Sequence, residues 1–540
     1  MRRKKFIQYV AGLTVTGAMA SACTVRRTKK FPGALIEGNM RLGHALRDQQ
    51  FGKTTEGVAE EMPIVIIGAG ISGLSAAYHL QQAGYTEFIV LDLESTPGGN
   101  AVAGKNSLSA YPWGAHYIPI PNPGLPEYMA FLEQAGVIDR YEQGKPVYNE
   151  LYLCFDPEER LYINGKWQDG LVPDFGLPEE DRRQVRQFMQ MMQAFRDARD
   201  HHGIEAFAIP LARSSTDKTW RELDNISILS WLQQQGFSSK YLVDYINYCT
   251  RDDYGTAAKD CSAWAAIHYF ASRKGVAVNA DHSDVLTWPE GNQFLATKLI
   301  ASFQEKIKTN CLVTEVNLVG DKLSVSYLHQ PTNRWHSLIA HQCVLAVPQM
   351  IAARLLKNQR RTDLQTKYYH YAPWLIANLR ISKPAERTGS VMSWDNVPYG
   401  APSLGYVDAT HQFINSALLE KNITYYHPLT DQEPQAARLA AYQKNYETWV
   451  EQIVADLKRV HPDIEDCIKE INVKLWGHAM PQPRPGFLFA KERLQMQASI
   501  AGRIHPAHSD LAGISIFEEA FYQGYNASQK IIQALRNSKA

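Results

Sequence analysis

Charge of one sign is missing from this chain: its 540 residues carry 56 Lys+Arg against 55 Asp+Glu, a formal net charge of +1. A nucleic-acid binder ordinarily shows a basic excess, so composition argues against that class. Cysteine is scarce as well. Of the seven, Cys23 stands near the start, and Cys154, Cys249, Cys261, Cys311, Cys343 and Cys467 lie far apart without a CxxC pair, which indicates neither a disulfide framework nor a metal site. Beyond the N-terminal segment no run of 18 residues is purely apolar, so nothing there reads as a membrane span. What is present, 45% hydrophobic and 21% charged residues, describes a globular chain long enough for two domains.

The most informative stretch is 63–100. Ile64, Val65, Ile66 and Ile67 form a β-branched run, followed at once by Gly68-Ala69-Gly70-Ile71-Ser72-Gly73 and then by a helical pattern through Leu74, Ala77, Tyr78 and Leu80. A second strand, residues 88–91, delivers Asp92. This order predicts a dinucleotide site. Gly68 permits a tight turn off the strand, Gly70 lets backbone approach a pyrophosphate, and Gly73 lets helix and strand pack closely. The helix N-terminus offers free N–H groups and partial positive charge, and the acid accepts ribose hydroxyls.

After Asp92 comes Ser95-Thr96-Pro97-Gly98-Gly99-Asn100, and this extension resembles the one carried by the flavin amine oxidoreductases, phytoene desaturases and protoporphyrinogen oxidases. The resemblance implies FAD, with Gly98 and Gly99 meeting its diphosphate. The family usually has Arg where Asn100 stands; an amide can hydrogen-bond a phosphate oxygen but supplies no charge. Two later stretches continue the resemblance. Tyr111-Pro112-Trp113-Gly114-Ala115-His116-Tyr117 is similar to the strand that brings backbone to the flavin ring, which makes Trp113, Gly114, Ala115 and His116 candidates for lining it. Near the C-terminus, Asp510 matches an acid that approaches the ribityl-phosphate, and Glu519-Ala520 matches the start of a helix beneath the flavin O2 edge. In the family the position of Val313 pairs its backbone with adenine. The implied fold is α/β: a discontinuous Rossmann-like FAD-binding domain with an α+β substrate domain.

The expected organisation is an export signal over 1–23, a tether with a short helix over 24–61, FAD-binding segments at 62–150, 285–350 and 481–540, a helical insertion at 151–284, and substrate-domain sheet and helices at 351–480. Within the insertion, Arg251-Asp252-Asp253-Tyr254-Gly255 and His268-Tyr269-Phe270 place polar and aromatic groups at helix ends, where solvated caps and a substrate funnel are both open readings. The signal rests on Arg2-Arg3-Lys4-Lys5, a modestly apolar 6–19, and Ala20-Ser21-Ala22-Cys23. It resembles a bacterial lipobox, with Ala20 where Leu is usual, and a plain small-residue cleavage site is the other reading. The basic start resembles a twin-arginine signal, and a route for folded proteins suits a flavoprotein loaded in the cytoplasm. The expectation is therefore an exported, periplasmic protein, anchored to a membrane by a lipid on Cys23.

The resemblance implies FAD-dependent oxidation of an amine, polyamines included, by hydride transfer to flavin N5, with oxygen or a respiratory quinone as electron acceptor. Desaturation of an isoprenoid or porphyrin, and flavin binding without catalysis, are the alternatives. Counting from the chain's own motifs, Phe487 and Phe517 take the positions of the two rings that flank the amine in this family, and His411 is a third candidate for facing the flavin. With no Cys after Cys467, the FAD is expected to be non-covalent, and no metal is expected.

Overall fold

A computed structural model describes residues 30–48, 59–356, 368–414 and 419–537. The expected signal over 1–23 lies outside the described residues, as do 24–29 and 49–58 of the expected tether. Residues 32–48, however, are docked rather than tethered, and the short helix expected there is present. Strand β1 (Leu35–Ile36) pairs in parallel with Val473 and Lys474, because the Ile471 and Val473 N–H groups donate to Pro32 O and Ala34 O, each at 2.9 Å. Helix α1 (Met40–Arg47) follows, and its Leu46 is buried. Its entry is held by Asn39, whose side-chain amide donates to Leu93 O at 2.6 Å.

The Ile64–Ile67 run forms the buried half of β2 (Glu60–Ile67). After the glycine turn come α2 (Ile71–Gln82) and β3 (Phe88–Leu91). Further along the chain, after several short strands and the helix Pro126–Gln134, comes a hairpin, β4 (Glu159–Ile163) and β5 (Lys166–Asp169), in a region expected to be helical. Leu161, Ile163 and Trp167 alternate inward there, a period of two that overrides the helical surroundings. The helices of the insertion are then α3 (Glu179–Asp197), α4 (Lys240–Tyr254) and α5 (Ala263–Ala271). Ser239 and Ser262 cap α4 and α5 by accepting backbone N–H groups, and Gly255 ends α4 in the left-handed conformation at φ 56°.

The chain returns through β6 (Ile307–Lys308), β7 (Cys311–Val319), β8 (Lys322–His329) and β9 (Arg334–Leu345), then leaves again through β10 (Tyr371–Ser382), β11 (Asp395–Pro398), β12 (Gly405–Asp408), β13 (Glu420–Pro428) and β14 (Ile468–Pro481). It closes with β15 (Ile504–Pro506) and α6 (Phe517–Asn537). Among the described residues these strands form two large sheets. One has the order β6-β3-β2-β9-β8-β7, with β15 beside β9. Its β6-β3-β2-β9 core is parallel, so three stretches distant in sequence build one Rossmann-like sheet. The other has the order β1-β14-β10-β13-β12-β11-β4-β5. It is mostly antiparallel, but β1 and β4 each join it in parallel register.

Helix α2 is buried along nine of its twelve residues, because the sheet covers one face and α6 the other. The crossing with α6 is backbone to backbone. A Cβ on Gly524 would sit 2.1 Å from Ser72 O, and the Ser75 hydroxyl donates to Phe521 O at 2.7 Å. Gly524→Val is accordingly expected to force the two helices apart and to lower stability by about 1–3 kcal/mol, the usual cost of overpacking. Thermal denaturation of the purified variant beside the wild type checks this.

Candidate functional site

A cavity of about 440 Å³ runs from the Rossmann-like sheet to the larger one, and most of the residues singled out from the sequence line it. At its centre is the turn between β2 and α2. Gly68 has φ 99°, and a Cβ there would come within 2.3 Å of Ala346 O. A Cβ on Gly73 would sit 1.9 Å from Gly68 O, so the helix start is seated directly on the turn. Gly68, Gly70, Ile71 and Ser72 face the cavity, whereas Ala69 and Gly73 serve the packing behind it. No side chain caps α2. Its first N–H groups and the positive end of its dipole therefore open onto the cavity, which is the arrangement that binds phosphate.

Gly98 and Gly99 close the other side of this cradle. Gly98 N donates to Ala69 O at 2.8 Å, and a Cβ on Gly99 would stand 3.1 Å from the Gly70 Cα. Asn100 lines the cavity too, but its side-chain amide donates to Ala479 O at 2.6 Å, so it ties this loop to β14. Arg273 is the single Lys or Arg among the residues lining the cavity, and it sits on the helical side.

Asp92 ends β3. Its two carboxylate oxygens accept the Ala69 N–H and, at 2.7 Å, the Glu94 N–H. Burial pushes this carboxyl up to about 6. Val313 lines the same end with Leu46, Cys311 and Leu355, just before a bulge in β7. Asp510 is 1% exposed; its Oδ2 accepts the Tyr371 hydroxyl at 2.5 Å and the Gln349 N–H at 2.8 Å, while Oδ1 lies 3.1 Å from His508 Nδ1. An uncapped helix N-terminus, a glycine cradle that any Cβ would fill, and a buried carboxylate lining the cavity together suit a dinucleotide with a polyhydroxyl chain.

Gly114, Ala115 and His116 also line the cavity. Gly114 is held against Asn100, where a Cβ would come within 2.3 Å of Asn100 O. The His116 ring lies 4.6 Å from that of Tyr426, and burial pulls its pKa down to about 4, so it is a neutral imidazole. Trp113 is buried behind it and accepts the Trp476 indole N–H on its carbonyl at 2.5 Å.

Three of the proposed side chains are placed differently from the sequence reading. Phe487 lies outside the cavity wall: Gly486 N donates to Asp224 O at 2.6 Å, and that turn sends the ring into the helical core, 5.2 Å from Tyr369. Trp476, His478, Ala479 and Met480 of β14 form the wall instead. His411 sits in the loop after β12, where its Nε2 bonds Phe155 O at 2.7 Å, away from the cavity. Glu519 is buried and turned toward the insertion, its carboxylate accepting the Leu211 N–H. Phe517 and Ala520 do line the cavity, together with Glu518.

The sequence reading did not single out Tyr117, Arg273, Trp374, Tyr426 or Glu518. It left Asp252, Asp253, His268 and Tyr269 open between solvated helix ends and a substrate funnel, and the structure brings all four to the cavity. Spacing alone could not have assembled this set, because its members come from distant strands and helices.

A family model described as flavin containing amine oxidoreductase matches residues 71–532. The chain belongs to that family. Membership places it among FAD-dependent oxidoreductases, and FAD fits the cradle described above. The L-amino-acid oxidase of Vipera ammodytes ammodytes is 22% identical over 273 residues, 49% of this chain, and the match spans 50% of that protein's length. Among solved structures, a putrescine oxidase bound to putrescine gives a TM-score of 0.63 at 16% identity, covering 88% of this chain and 100% of the other. The cyclohexylamine oxidase of Brevibacterium oxydans IH-35A gives 0.62 at 14%, again over 88% and 100%. At these identities the structural likeness establishes the fold: a Rossmann-like FAD-binding part with a substrate part.

Two outcomes are expected. If Asp92 accepts a ribose hydroxyl of FAD, Asp92→Ala removes a charge-assisted hydrogen bond worth about 1.5–3 kcal/mol, so FAD should bind roughly tenfold or more weakly when titrated into apoprotein. The second concerns pH. Burial pushes the Glu518 and Glu519 carboxyls up to about 7. A raised folded pKa means that the folded chain binds more protons than the unfolded one between the ordinary Glu value and about 7, so stability falls as pH rises through that window. Apoprotein melting temperatures should drop from pH 5 to 7.5. Glu519→Gln should flatten that slope, by on the order of 1.4 kcal/mol per pH unit at most.

Proposed function

We propose that the protein oxidises a small-molecule amine at FAD. The observation that carries this reading is the single cavity that joins the nucleotide cradle to a pocket walled by Phe517, Trp374, Tyr426 and Trp476 and bordered by carboxylates. Bound there, FAD supplies the hydride acceptor.

The chain's part is to bind, orient and exclude water. Gly68, Gly70, Ile71 and Ser72 would hold the pyrophosphate, Asp92 the ribose, Val313 the adenine edge and Asp510 the ribityl hydroxyls. The start of α6 at Phe517–Ala520 would direct helix-dipole charge at the flavin O2 edge. Phe517 and Tyr426 would hold the reacting C–N bond between apolar faces, with cation–π attraction of about 0.5–2 kcal/mol per ring for an ammonium. His116, neutral through burial, would present an imidazole without bringing charge to the site.

The substrate loses a hydride from the carbon bearing a neutral amine and becomes an iminium, which water hydrolyses to a carbonyl compound and free amine or ammonia; oxygen or a quinone then takes the two electrons. The FAD is held non-covalently in this reading: Cys311 is the single Cys lining the cavity, and it lies at the adenine end, its N–H donating to Asp92 O at 2.7 Å. We further propose that residues 1–23 export the protein to the periplasm and that Cys23 anchors it to a membrane. Cys23→Ala would then move it from the membrane fraction or block its processing.

Anaerobic flavin reduction tests the central proposal. Because the amine must be deprotonated before hydride leaves, kcat/KM should rise with pH toward the amine's own pKa. Phe517→Ala should slow reduction about tenfold, in line with losing a cation–π wall of that size. If no amine bleaches the flavin at any pH while an isoprenoid or porphyrin does, the chain is a desaturase and the amine reading is wrong.

A further inference from the structure

The helical side of the cavity carries more negative charge than its cations neutralise. Asp252 and Asp253 occupy the last turn of α4, and Glu518 lies in the first turn of α6; all three line the cavity. The one cation among the lining residues, Arg273, is already engaged. It pairs with Asp253 at 3.2 Å, donates to the Tyr117 hydroxyl at 3.1 Å and covers the Tyr269 ring at 4.5 Å. Asp252 forms no ion pair among the described residues; burial and the nearby Asp253 carboxylate disfavour its charged form, and Arg273 offsets this only in part. Glu518 is only 3% exposed, and its Oε2 has no hydrogen-bond partner. Its carboxyl shares the field of Arg273 and Asp253.

Such an arrangement is costly without a ligand. A helix C-terminus already bears partial negative charge, so two acids in the last turn of α4 stand at the unfavourable end. A buried carboxylate with an unpaired oxygen costs stability as well. Arg273 accounts for the acid at Asp253, and it leaves Asp252 and Glu518 without a partner ion pair among the described residues. A cation entering the cavity would offset both costs at once.

Resting on the amine reading above, we infer that Glu518 and Asp252, with Asp253 beside them, form a recognition subsite for a second, non-reacting ammonium, so that the substrate class is a diamine or longer polyamine. Phe517, adjacent to Glu518 in the chain, places the reacting amine between aromatic walls while the distal charge lies against the carboxylates. Arg273, being paired, is not free to receive a substrate carboxylate, which disfavours amino acids.

The experiment compares holoenzyme reduction by 1,4-diaminobutane, 1,5-diaminopentane and spermidine with n-butylamine, n-pentylamine and L-leucine, in wild type, Glu518→Gln and Asp252→Asn. The quantity read is the ratio of reduction efficiency for each diamine over its length-matched monoamine. In wild type it should exceed about tenfold, and in each variant it should fall at least severalfold. A second measurement does not need turnover: calorimetric binding of 1,4-bis(trimethylammonio)butane against butyltrimethylammonium, with the same preference expected and the same loss in the variants. Equal ratios for diamine and monoamine, or faster reduction by L-leucine, would overturn the inference while leaving amine oxidation intact. Failure of every amine to reduce the flavin would remove the amine reading itself. Equal binding of the dication and monocation would overturn the subsite independently of turnover.

Discussion

The structure depends on one close approach of backbones. At the turn between β2 and α2, Gly68, Gly73 and, across the helix crossing, Gly524 each stand where a Cβ would fall within about 2.3 Å of a carbonyl oxygen. Those three contacts fix where α2 begins and which way its uncapped N-terminus points. The consequence is electrostatic. No Lys or Arg lines the nucleotide end of the cavity, and Asn100 spends its amide on β14. The positive potential that a pyrophosphate needs must come from the helix end and its free N–H groups. A side chain at any of the three glycines would move that end and weaken the charge complementarity that it supplies.

The substrate side uses the opposite sign. The carboxyls of Asp252 and Glu518 are both pushed to about 7 by burial, so the wall is partly protonated near neutrality when no cation is present. The two helix termini act in opposite directions there: the start of α6 favours a charged Glu518, while the end of α4 disfavours a charged Asp252. Local choices that work against stability in this way concentrate at functional sites. The same chain therefore presents a positive helix end to an anionic cofactor and an acidic wall to whatever approaches it.

The N-terminal segment takes part in this arrangement. Gly43 and Leu46 of α1 line the cavity beside Leu91, Cys311 and Val313, so a stretch that precedes the Rossmann-like sheet in sequence helps to enclose its nucleotide site. Its weak periodicity concealed that. What holds it is a pair of strand hydrogen bonds to β14 and the Asn39 side chain on Leu93 O, contacts that involve residues more than 50 positions away.

By itself the sequence determined the elements whose signal is local. A β-branched run, glycines at fixed spacing and an acid some 20 residues on specify strand, turn, helix and strand, because each residue acts on its own backbone. Serines at helix starts and glycine at the end of α4 are legible for the same reason. Sequence reasoning also placed Asp510 and Phe517 on stretches that the structure brings to the cavity. It did not see that β4 and β5 leave the helical region to join the larger sheet, that the turn at Gly486 carries Phe487 into the helical core, or that Glu518 rather than Glu519 faces inward. Those outcomes rest on long-range packing: sheet pairing across more than 200 residues, a backbone hydrogen bond from Gly486 to Asp224, and the rotation of α6 set by its contact with α2. The acidic wall belongs to the same class. Asp252 and Asp253 stand in the chain as a helix end whose role was open and Glu518 passes unnoticed there; only the tertiary structure buries the three around one cavity whose lining, among the described residues, holds one engaged cation.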